Sequence, residues 1–171
     1  TSDPGMDTTI TCANPQITLD GANSSTGTDF SYEWTGPAGG IVGATDQITA
    51  NVILPGVYSL EVTDDVGGCS SLATVTVSID TISPIAVAGA DTVLNCLLPT
   101  VVLEGAGSST VDVIYEWTGP AGATILNGNG LNPEVDLPGF YTLTVTANGN
   151  GCTATDEIEV VNEAVLPVID I

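Results

Sequence analysis

An internal repeat is the feature of this sequence that most restricts its fold. The segment Tyr-Glu-Trp-Thr-Gly-Pro-Ala-Gly at positions 32–39 recurs unchanged at positions 115–122. The segment Leu-Pro-Gly-Val-Tyr-Ser-Leu at 54–60 returns as Leu-Pro-Gly-Phe-Tyr-Thr-Leu at 137–143. A repeat of this length indicates two copies of one structural unit. We therefore predict a first unit at 1–80, a linker at 81–84 and a second unit at 85–163.

The last residues, 164–171, match the segment that leads from the first unit into the second. We expect them to form a linker, the start of a following unit, or a strand that docks onto a neighbouring subunit. The linker at 81–84 contains a proline, which favours an extended and semi-rigid connection. These features predict that the units form part of an extended array.

Hydrophobic and polar residues alternate in many short segments. In residues 58–63, Tyr, Leu and Val alternate with Ser, Glu and Thr, and residues 141–146 repeat the alternation. The same period occurs at Ile17 and Leu19, and at Val75, Val77 and Ile79. A period of two is typical of strands with one buried and one solvated face. Together with frequent Gly, Pro, Asn and Asp, and no helical period, it predicts two tandem all-β sandwich domains.

The aromatic residues occupy equivalent places in the two units. Trp34 and Trp117 each lie two residues after a Tyr in the same predicted strand, so by alternation the Trp ring and the Tyr ring of each unit should both enter the core. Tyr58 and Tyr141 each follow a Pro-Gly turn and could hydrogen-bond back to that turn. The alternative is a platform on which sugars stack, but duplication in one strand context favours core packing.

The charge balance excludes several classes of partner. The chain has 21 Asp and Glu residues and no Lys, Arg or His, which gives a formal net charge of −21. It therefore offers no cationic contacts to nucleic-acid phosphates and is repelled by anionic lipid surfaces. It lacks any run of apolar residues long enough for direct membrane insertion. Self-repulsion must be relieved by salt, metal ions or a cationic partner.

The missing basic residues also bear on cellular location and on catalysis. Trypsin-like proteases have no site to cleave, which fits either selection for protease resistance or a compositional drift of acidic secreted proteins. Both place the chain outside the cell. General acid–base and nucleophilic catalysis mostly recruit His or Lys, and only a glycosidase-type carboxylate pair is left open. A duplicated unit also argues against a unique active site, so we do not expect an enzyme.

The repeated motifs resemble a known group of repeats. Tyr-x-Trp-Thr-Gly-Pro, then Pro-Gly-x-Tyr-x-Leu-x-Val-Thr, then Gly-Cys, are similar to the PKD-like and immunoglobulin-like repeats of large surface proteins in Bacteroidota. The similarity is greatest to the repeat regions of gliding and biofilm adhesins, and it covers both units. The resemblance implies a secreted or surface-anchored stalk of Ig-like or PKD-like β-sandwich domains, with no catalytic site.

Four cysteines at repeat spacing indicate disulfides in a secreted chain. Repeat symmetry favours Cys12 with Cys69 and Cys96 with Cys152, each closing a loop worth about 4 kcal/mol on the chain-entropy model. The alternative joins Cys69 to Cys96 between the units and leaves the other two for neighbours in the array. Because CxxC pairs and histidines are absent, a zinc site is not expected.

Several carboxylates are candidates for a calcium site. In a sandwich of this kind, loops that carry Asp20, Asp29, Asp64 and Asp65 could meet at one end of the first unit. Oxygen ligands from several loops suit Ca²⁺. Ca²⁺ is the one cofactor that the sequence suggests, and we expect no cofactor to be required. The second unit has a thinner set. The candidates there and at the junction are Asp91, Glu104, Asp112 and Asp80. The alternative is a solvated acidic surface.

Four residues are candidates for glycosylation. Asn23 begins an Asn-Ser-Ser sequon. Thr8, Thr81 and Thr92 each follow an Asp. The next residue is aliphatic after Thr81 and Thr92 and is Thr after Thr8, so the three segments resemble the Asp-Thr-aliphatic acceptors of O-linked glycans in Bacteroidota. The alternative is that these threonines simply suit exposed strands.

These observations predict a structural segment of an extracellular fibre, filament or adhesin stalk, whose partners are neighbouring repeats or identical subunits. The alternative is a β-sandwich module that binds a carbohydrate or a host or cell-surface receptor.

Overall fold

A computed structural model describes residues 1–163, and the expectations for residues 164–171 lie outside the described residues. The described chain forms 14 β-strands and divides into two compact units, Thr1–Thr81 and a second that begins at Ile82. The division therefore falls inside the predicted 81–84 linker. No helix of the described residues is long and apolar enough to cross a membrane.

The first unit consists of two sheets. Its strands are β1 (Thr8–Thr11), β2 (Ile17–Asp20), β3 (Phe30–Thr35), β4 (Ile41–Val42), β5 (Thr49–Val52), β6 (Gly56–Asp64) and β7 (Ser70–Asp80). One sheet has the order β1-β7-β6-β3, and the other has the order β2-β5-β4. All neighbouring strands are antiparallel except β1 and β7, which run parallel.

The second unit repeats this arrangement. Its strands are β8 (Thr92–Leu94), β9 (Val101–Val102), β10 (Val113–Thr118), β11 (Ile125–Leu126), β12 (Glu134–Val135), β13 (Gly139–Ala147) and β14 (Thr153–Asn162). The sheet orders are β10-β13-β14-β8 and β11-β12-β9, and β8 runs parallel to β14. The predicted all-β class with two tandem sandwich domains is therefore confirmed.

Each unit has its own hydrophobic core between its two sheets. In the first, Trp34, Tyr58 and Leu60 are at most 1 % exposed, and in the second the equivalent Tyr141 and Leu143 are fully buried. The predicted burial of both tryptophans is confirmed, since Trp117 is also buried. Burial of large aromatic side chains is the largest apolar contribution in units of this size.

The two repeated motifs pack against each other, which explains why they recur together. Gly36 leaves room for the ring of Tyr58, because a Cβ at that position would overlap the ring. Gly56 adopts a φ of 148°, and a Cβ there would approach Cγ of Pro37 to 2.5 Å. The Trp-Thr-Gly-Pro motif and the Pro-Gly-x-Tyr motif therefore form one interlocked contact, and the second unit repeats it.

The buried tyrosines satisfy their hydroxyl groups locally. The hydroxyl of Tyr58 donates to the Leu54 carbonyl at 2.7 Å, and that of Tyr141 donates to the Leu137 carbonyl at the same distance. This is the hydrogen bond back to the preceding turn that the sequence predicts, and it is typical of the tyrosine corner in β-sandwiches.

Ile79 differs from the prediction that it shares the buried face of Val75 and Val77. Those two valines are buried, whereas Ile79 is 51 % exposed. The reason is that β6 begins at Gly56, opposite Val77, so Ile79 extends beyond β6 and pairs only with Ile10 of β1. The alternation is correct, but the neighbouring strand β6 does not extend as far as Ile79.

Candidate functional site: the poles of the two units

Each unit has two poles that the strand registers define. The N-terminal pole of the first unit contains the β6–β7 turn with Cys69, and that of the second contains the β13–β14 turn with Cys152. The C-terminal pole is the far end of the parallel strand pair, beside Cys12 in the first unit and beside Cys96 in the second. Each unit therefore carries one cysteine at each of its poles.

The chain enters the first unit at its N-terminal pole. The backbone N–H of Ser2 donates to Oγ of Ser71, two residues after Cys69. The backbone nitrogen of Thr1 donates to Oγ of Ser25 at 2.7 Å, and Ser25 donates its backbone N–H to the carbonyl of Thr1. This pole is therefore closed by hydrogen bonds to the first residues of the unit.

The second unit repeats these contacts at its own N-terminal pole. Ile85 and Ser109 exchange the equivalent pair of hydrogen bonds. The side-chain amide of Asn150 donates to the carbonyl of Ile82 at 3.0 Å, and its Oδ1 accepts the N–H of Cys152. The chain thus enters both units at the pole that carries the cysteine before the last strand.

The cysteines do not pair as repeat symmetry predicts. Cys12 and Cys152 are disulfide-bonded, whereas Cys69 and Cys96 are exposed free thiols. The predicted pairs Cys12–Cys69 and Cys96–Cys152 are therefore wrong for this structure. The alternative bond between Cys69 and Cys96 is not formed either.

The parallel strand pair is the physical reason. Thr11, just before Cys12, lies opposite Asp80 at the end of β7, whereas Cys69 lies just before the start of β7. The 11 residues of β7 separate the two cysteines by roughly 30–35 Å at the usual rise of a strand. A disulfide needs Cα atoms within about 7 Å. Each unit therefore carries one cysteine at each pole and cannot join them to each other.

The predicted calcium ligands do not form one cluster. Among residues 1–163, no three Cys, His, Asp or Glu side chains form a group that could hold a metal ion. Most of these carboxylates instead accept hydrogen bonds within their own turns. Asp64 accepts the N–H groups of Val66 and Gly67, and Asp20 accepts that of Ala22.

The remaining two predicted ligands have similar local roles. Asp65 accepts a hydrogen bond from Ser31, while Asp29 accepts one from Thr28 and receives the Asp65 N–H on its backbone carbonyl. Asp29, Asp64 and Asp65 thus do lie at the N-terminal pole, as expected. Their oxygen atoms stabilise turns there, and calcium binding stays a prediction.

A pair of equivalent aspartates fixes the first segment of each unit to its last strand. Asp7 accepts the N–H of Thr76, and Asp91 accepts that of Glu159. Two buried serines act nearby: Ser24 accepts the N–H of Asp3, and Ser108 accepts that of Val87. In the sequence, these two aspartates stand out only as parts of candidate metal or modification motifs. Their equivalent positions in the repeat are the signal that indicates a structural role.

The glycosylation candidates lie at different degrees of exposure. Asn23 and Thr81 are exposed, whereas Thr8 and Thr92 are half-buried at the start of β1 and β8. Modification of these side chains stays a prediction.

Burial changes the ionisation of the two buried tyrosines. It raises the pKa of Tyr58 and of Tyr141, and the hydrogen bonds to Leu54 and Leu137 offset this only in part. The charge of Asp136 raises the pKa of Tyr141 further. Asp136 itself accepts the N–H of Thr124, and hydrogen bonds from Thr124 lower the pKa of its carboxyl group.

The exposed surface offers few aromatic groups for ligand stacking. Tyr32 and Tyr115 are only partly exposed and donate their hydroxyls to the carbonyls of Ser25 and Ser109. Phe140 is 57 % exposed on β13 and is the one exposed aromatic among the large hydrophobic side chains of the described residues. The predicted use of the tryptophans in the core, rather than as a stacking platform, is confirmed.

Comparisons with known proteins concern the fold. No protein-family model matches the chain, and no curated protein matches it. A SusE-like surface-located polysaccharide-binding protein from Bacteroides thetaiotaomicron is similar in structure, with a TM-score of 0.46 and 12 % identity over 92 % of this chain and 33 % of that one. This chain thus spans about a third of that protein.

Two further solved structures show similar domains. The PKD domain of human KIAA0319 has a TM-score of 0.41 and 15 % identity over 52 % of this chain and 88 % of its own. The titin domains Z1Z2 in complex with telethonin have a TM-score of 0.35 and 13 % identity over 96 % of this chain and 94 % of theirs. The strand order itself shows that the chain consists of two tandem β-sandwich domains.

Proposed function

We propose that this chain is a structural repeat segment of an extracellular surface fibre or adhesin stalk, and that it is not an enzyme. The observation that carries the proposal is the repetition of one structural framework in both units. Four features occur twice: the aspartate that accepts an N–H of the last strand, the buried serine that accepts an N–H of the first segment, the interlocked contact of the two motifs, and the tyrosine corner. Duplicated frameworks supply length and rigidity, whereas a unique binding or catalytic site does not need them.

The surface chemistry supports an extracellular role. Two of the four cysteines are disulfide-bonded, which is typical of oxidising compartments. With no Lys or Arg in 171 residues, the chain has no bond that a trypsin-like protease recognises. A high negative charge keeps such a segment soluble and hydrated.

The test is electron microscopy of native material, with the chain marked by antibody-bound gold. We expect gold along filaments or stalks at the cell surface, with a second antibody to a cytoplasmic protein as control. Gold confined to the cell interior, or dispersed in the medium on unattached particles, would contradict the proposal.

The exposed Phe140 favours a second candidate, a module that binds carbohydrate. Aromatic faces stack on sugars, and the equivalent residue of the first unit is Val57, which is also 57 % exposed. A polysaccharide that binds the chain should lose affinity at least ten-fold with Phe140→Ala and keep it with the matched Val57→Ala. Equal binding by both variants would exclude stacking at this residue.

A further inference from the structure

Each unit has cysteine at two equivalent positions, and each of these positions carries a disulfide-bonded cysteine in one of the two units. Cys12 at a C-terminal pole and Cys152 at an N-terminal pole are both disulfide-bonded. Their repeat equivalents, Cys96 at the C-terminal pole of the second unit and Cys69 at the N-terminal pole of the first, are thiols. One N-terminal-pole cysteine and one C-terminal-pole cysteine of the chain are therefore open for bonding.

Both open thiols are presented to solvent. Cys96 lies in a tight turn, in which Oδ1 of Asn95 accepts the N–H groups of Leu97 and Leu98 at 2.9 and 3.0 Å. Cys69 makes one weak contact through its sulfur, to the carbonyl of Gly67 at 3.8 Å. A thiol that is accessible and not involved in strong interactions is free to undergo disulfide exchange.

Exposed apolar side chains accompany both thiols. Leu97 and Leu98 beside Cys96 are 90 % and 54 % exposed, and Val66 in the turn before Cys69 is 80 % exposed. Exposed apolar groups at a pole are stabilised when a partner covers them. The two poles therefore offer apolar contact as well as a thiol.

We propose that Cys96 of one copy of this chain forms a disulfide with Cys69 of the next copy, so that copies are linked head to tail. This inference rests on the proposed fibre function and specifies how its segments are joined. A contact between two different poles is heterologous, and a heterologous contact that does not close into a ring extends without limit. The product is a covalent linear polymer.

The chemistry balances with a disulfide oxidant such as oxidised glutathione. One cysteine thiolate attacks oxidised glutathione and breaks its S–S bond, which forms a mixed disulfide with one glutathione and releases the other as a thiol. The second cysteine then attacks the mixed disulfide, forms the Cys96–Cys69 bond and releases the bound glutathione as a thiol. Two protons and two electrons pass from the two cysteines to glutathione.

The test uses the full chain in a glutathione redox buffer at about 150 mM salt, where the Debye length of about 8 Å screens the repulsion between copies of charge −21. We expect a ladder of multiples of 17.2 kDa on a non-reducing gel, which returns to the single 17.2 kDa band with reductant. Mixed copies labelled with ¹⁵N and ¹⁴N, digested with a non-tryptic protease, should yield a Cys69–Cys96 peptide containing both labels.

Two single variants supply the matched control. Cys69→Ser retains only the Cys96 thiol, and Cys96→Ser retains only the Cys69 thiol. Mixed together, they should form a heterodimer in at least ten-fold excess over either homodimer, and the ladder should stop there. Serine at exposed positions leaves the folded units intact, which circular dichroism checks.

Three outcomes would overturn the proposal: no cross-linked species, homodimers as abundant as the heterodimer, or Cys69–Cys96 peptides that all carry a single label with no mixed-label species. Failure of the proposed function is a separate result, because it is an absence of filaments or stalks in the micrographs. Filaments that persist with the Cys69→Ser variant would leave the fibre function standing and reject this linkage.

Discussion

The two units share a framework but satisfy one buried hydrogen-bond donor in different ways. In the second unit, the backbone N–H of the fully buried Ala88 donates to Asp156 at 2.8 Å. In the first unit, the equivalent residue is Pro4, which has no N–H, and Ala73 takes the place of Asp156. The difference shows that the framework requires a satisfied backbone at this point and accepts either solution.

The turn at the N-terminal pole also has the same backbone hydrogen bond in both units but a different stabilising side chain. The hairpin backbone is equivalent in both units, since Asp64 and Cys69 are linked by the same hydrogen bond as Ala147 and Cys152. In the first unit the side chain of Asp64 stabilises the turn, whereas in the second Asn150 does so from within it. Repeats that diverge in sequence thus preserve their backbone by moving the stabilising side chain.

The largest expected effect tests the interlocked contact of the two repeated motifs, which both units share. Gly56→Ala and Gly139→Ala should each destabilise their unit by about 3 kcal/mol, because they combine a φ near 140° with a collision against Pro37 or Pro120. Denaturant unfolding gives the loss, and hydrogen exchange with peptic digestion assigns it to a unit.

The matched controls are Gly39→Ala and Gly122→Ala. Both glycines have positive φ, but a Cβ there would contact nothing within 4 Å. We expect a cost of about 1 kcal/mol, from backbone conformation alone. Equal losses at the two kinds of position would contradict the interlocked packing.

The second prediction exchanges the two ways in which the units avoid an unpaired backbone N–H, which are an aspartate acceptor in the second unit and a proline in the first. Asp156→Ala should cost about 1–3 kcal/mol because the buried Ala88 N–H loses its acceptor. Adding Ala88→Pro should recover most of the lost stability, because it removes the unpaired N–H as Pro4 does in the first unit. The measurement is the free energy of unfolding from denaturant titration of the two variants and the parent chain.

The reverse exchange in the first unit is the control. Pro4→Ala should destabilise it by introducing an unpaired buried N–H, and Ala73→Asp should recover stability only in that background. Additive effects in both double variants would show that the two positions are not coupled.

A third prediction concerns alkaline pH. The folded-state pKa values of Tyr58 and Tyr141 are raised, so the unfolded chain releases these protons first. The free energy of unfolding should be unaffected by them below a pH of about 10 and should fall as the pH rises through their folded-state values.

The effect should be larger for Tyr141, because Asp136 lies near it whereas the equivalent residue of the first unit is Ile53. Tyr141→Phe should therefore remove more of the alkaline loss than Tyr58→Phe, measured as the change in unfolding midpoint between pH 9 and 11. Each variant costs about 1 kcal/mol at neutral pH through its lost hydrogen bond. An identical pH dependence in both variants would contradict a contribution of the Asp136 charge to the pKa of Tyr141.

The smallest expected effect concerns calcium. Millimolar Ca²⁺ should raise the melting temperature slightly, because divalent cations screen a chain of net charge −21. Mg²⁺ at the same concentration should act equally if the carboxylates stabilise turns. An excess effect of Ca²⁺ that disappears with Asp64→Asn would instead locate a dedicated site in the first unit.

Much of the fold follows from local patterns in the sequence. The repeat predicts two units, the period of two predicts strands, and residues such as Trp34 and Tyr58 are correctly predicted to lie in the core. The tyrosine corner is predictable too, because Tyr58 lies only four positions after Leu54. These features depend on neighbours along the chain, so the sequence contains them directly.

The tertiary structure alone decided the fate of the cysteines and carboxylates. The parallel pairing of β1 with β7 places Cys12 and Cys69 at opposite poles, although repeat symmetry favours their pairing. Likewise, Asp20 and Asp64 accept hydrogen bonds in their own turns and join no metal cluster among the described residues. The choice of which distant strands pair, and whether they run parallel, depends on the tertiary structure, because such strands are not joined by a local turn.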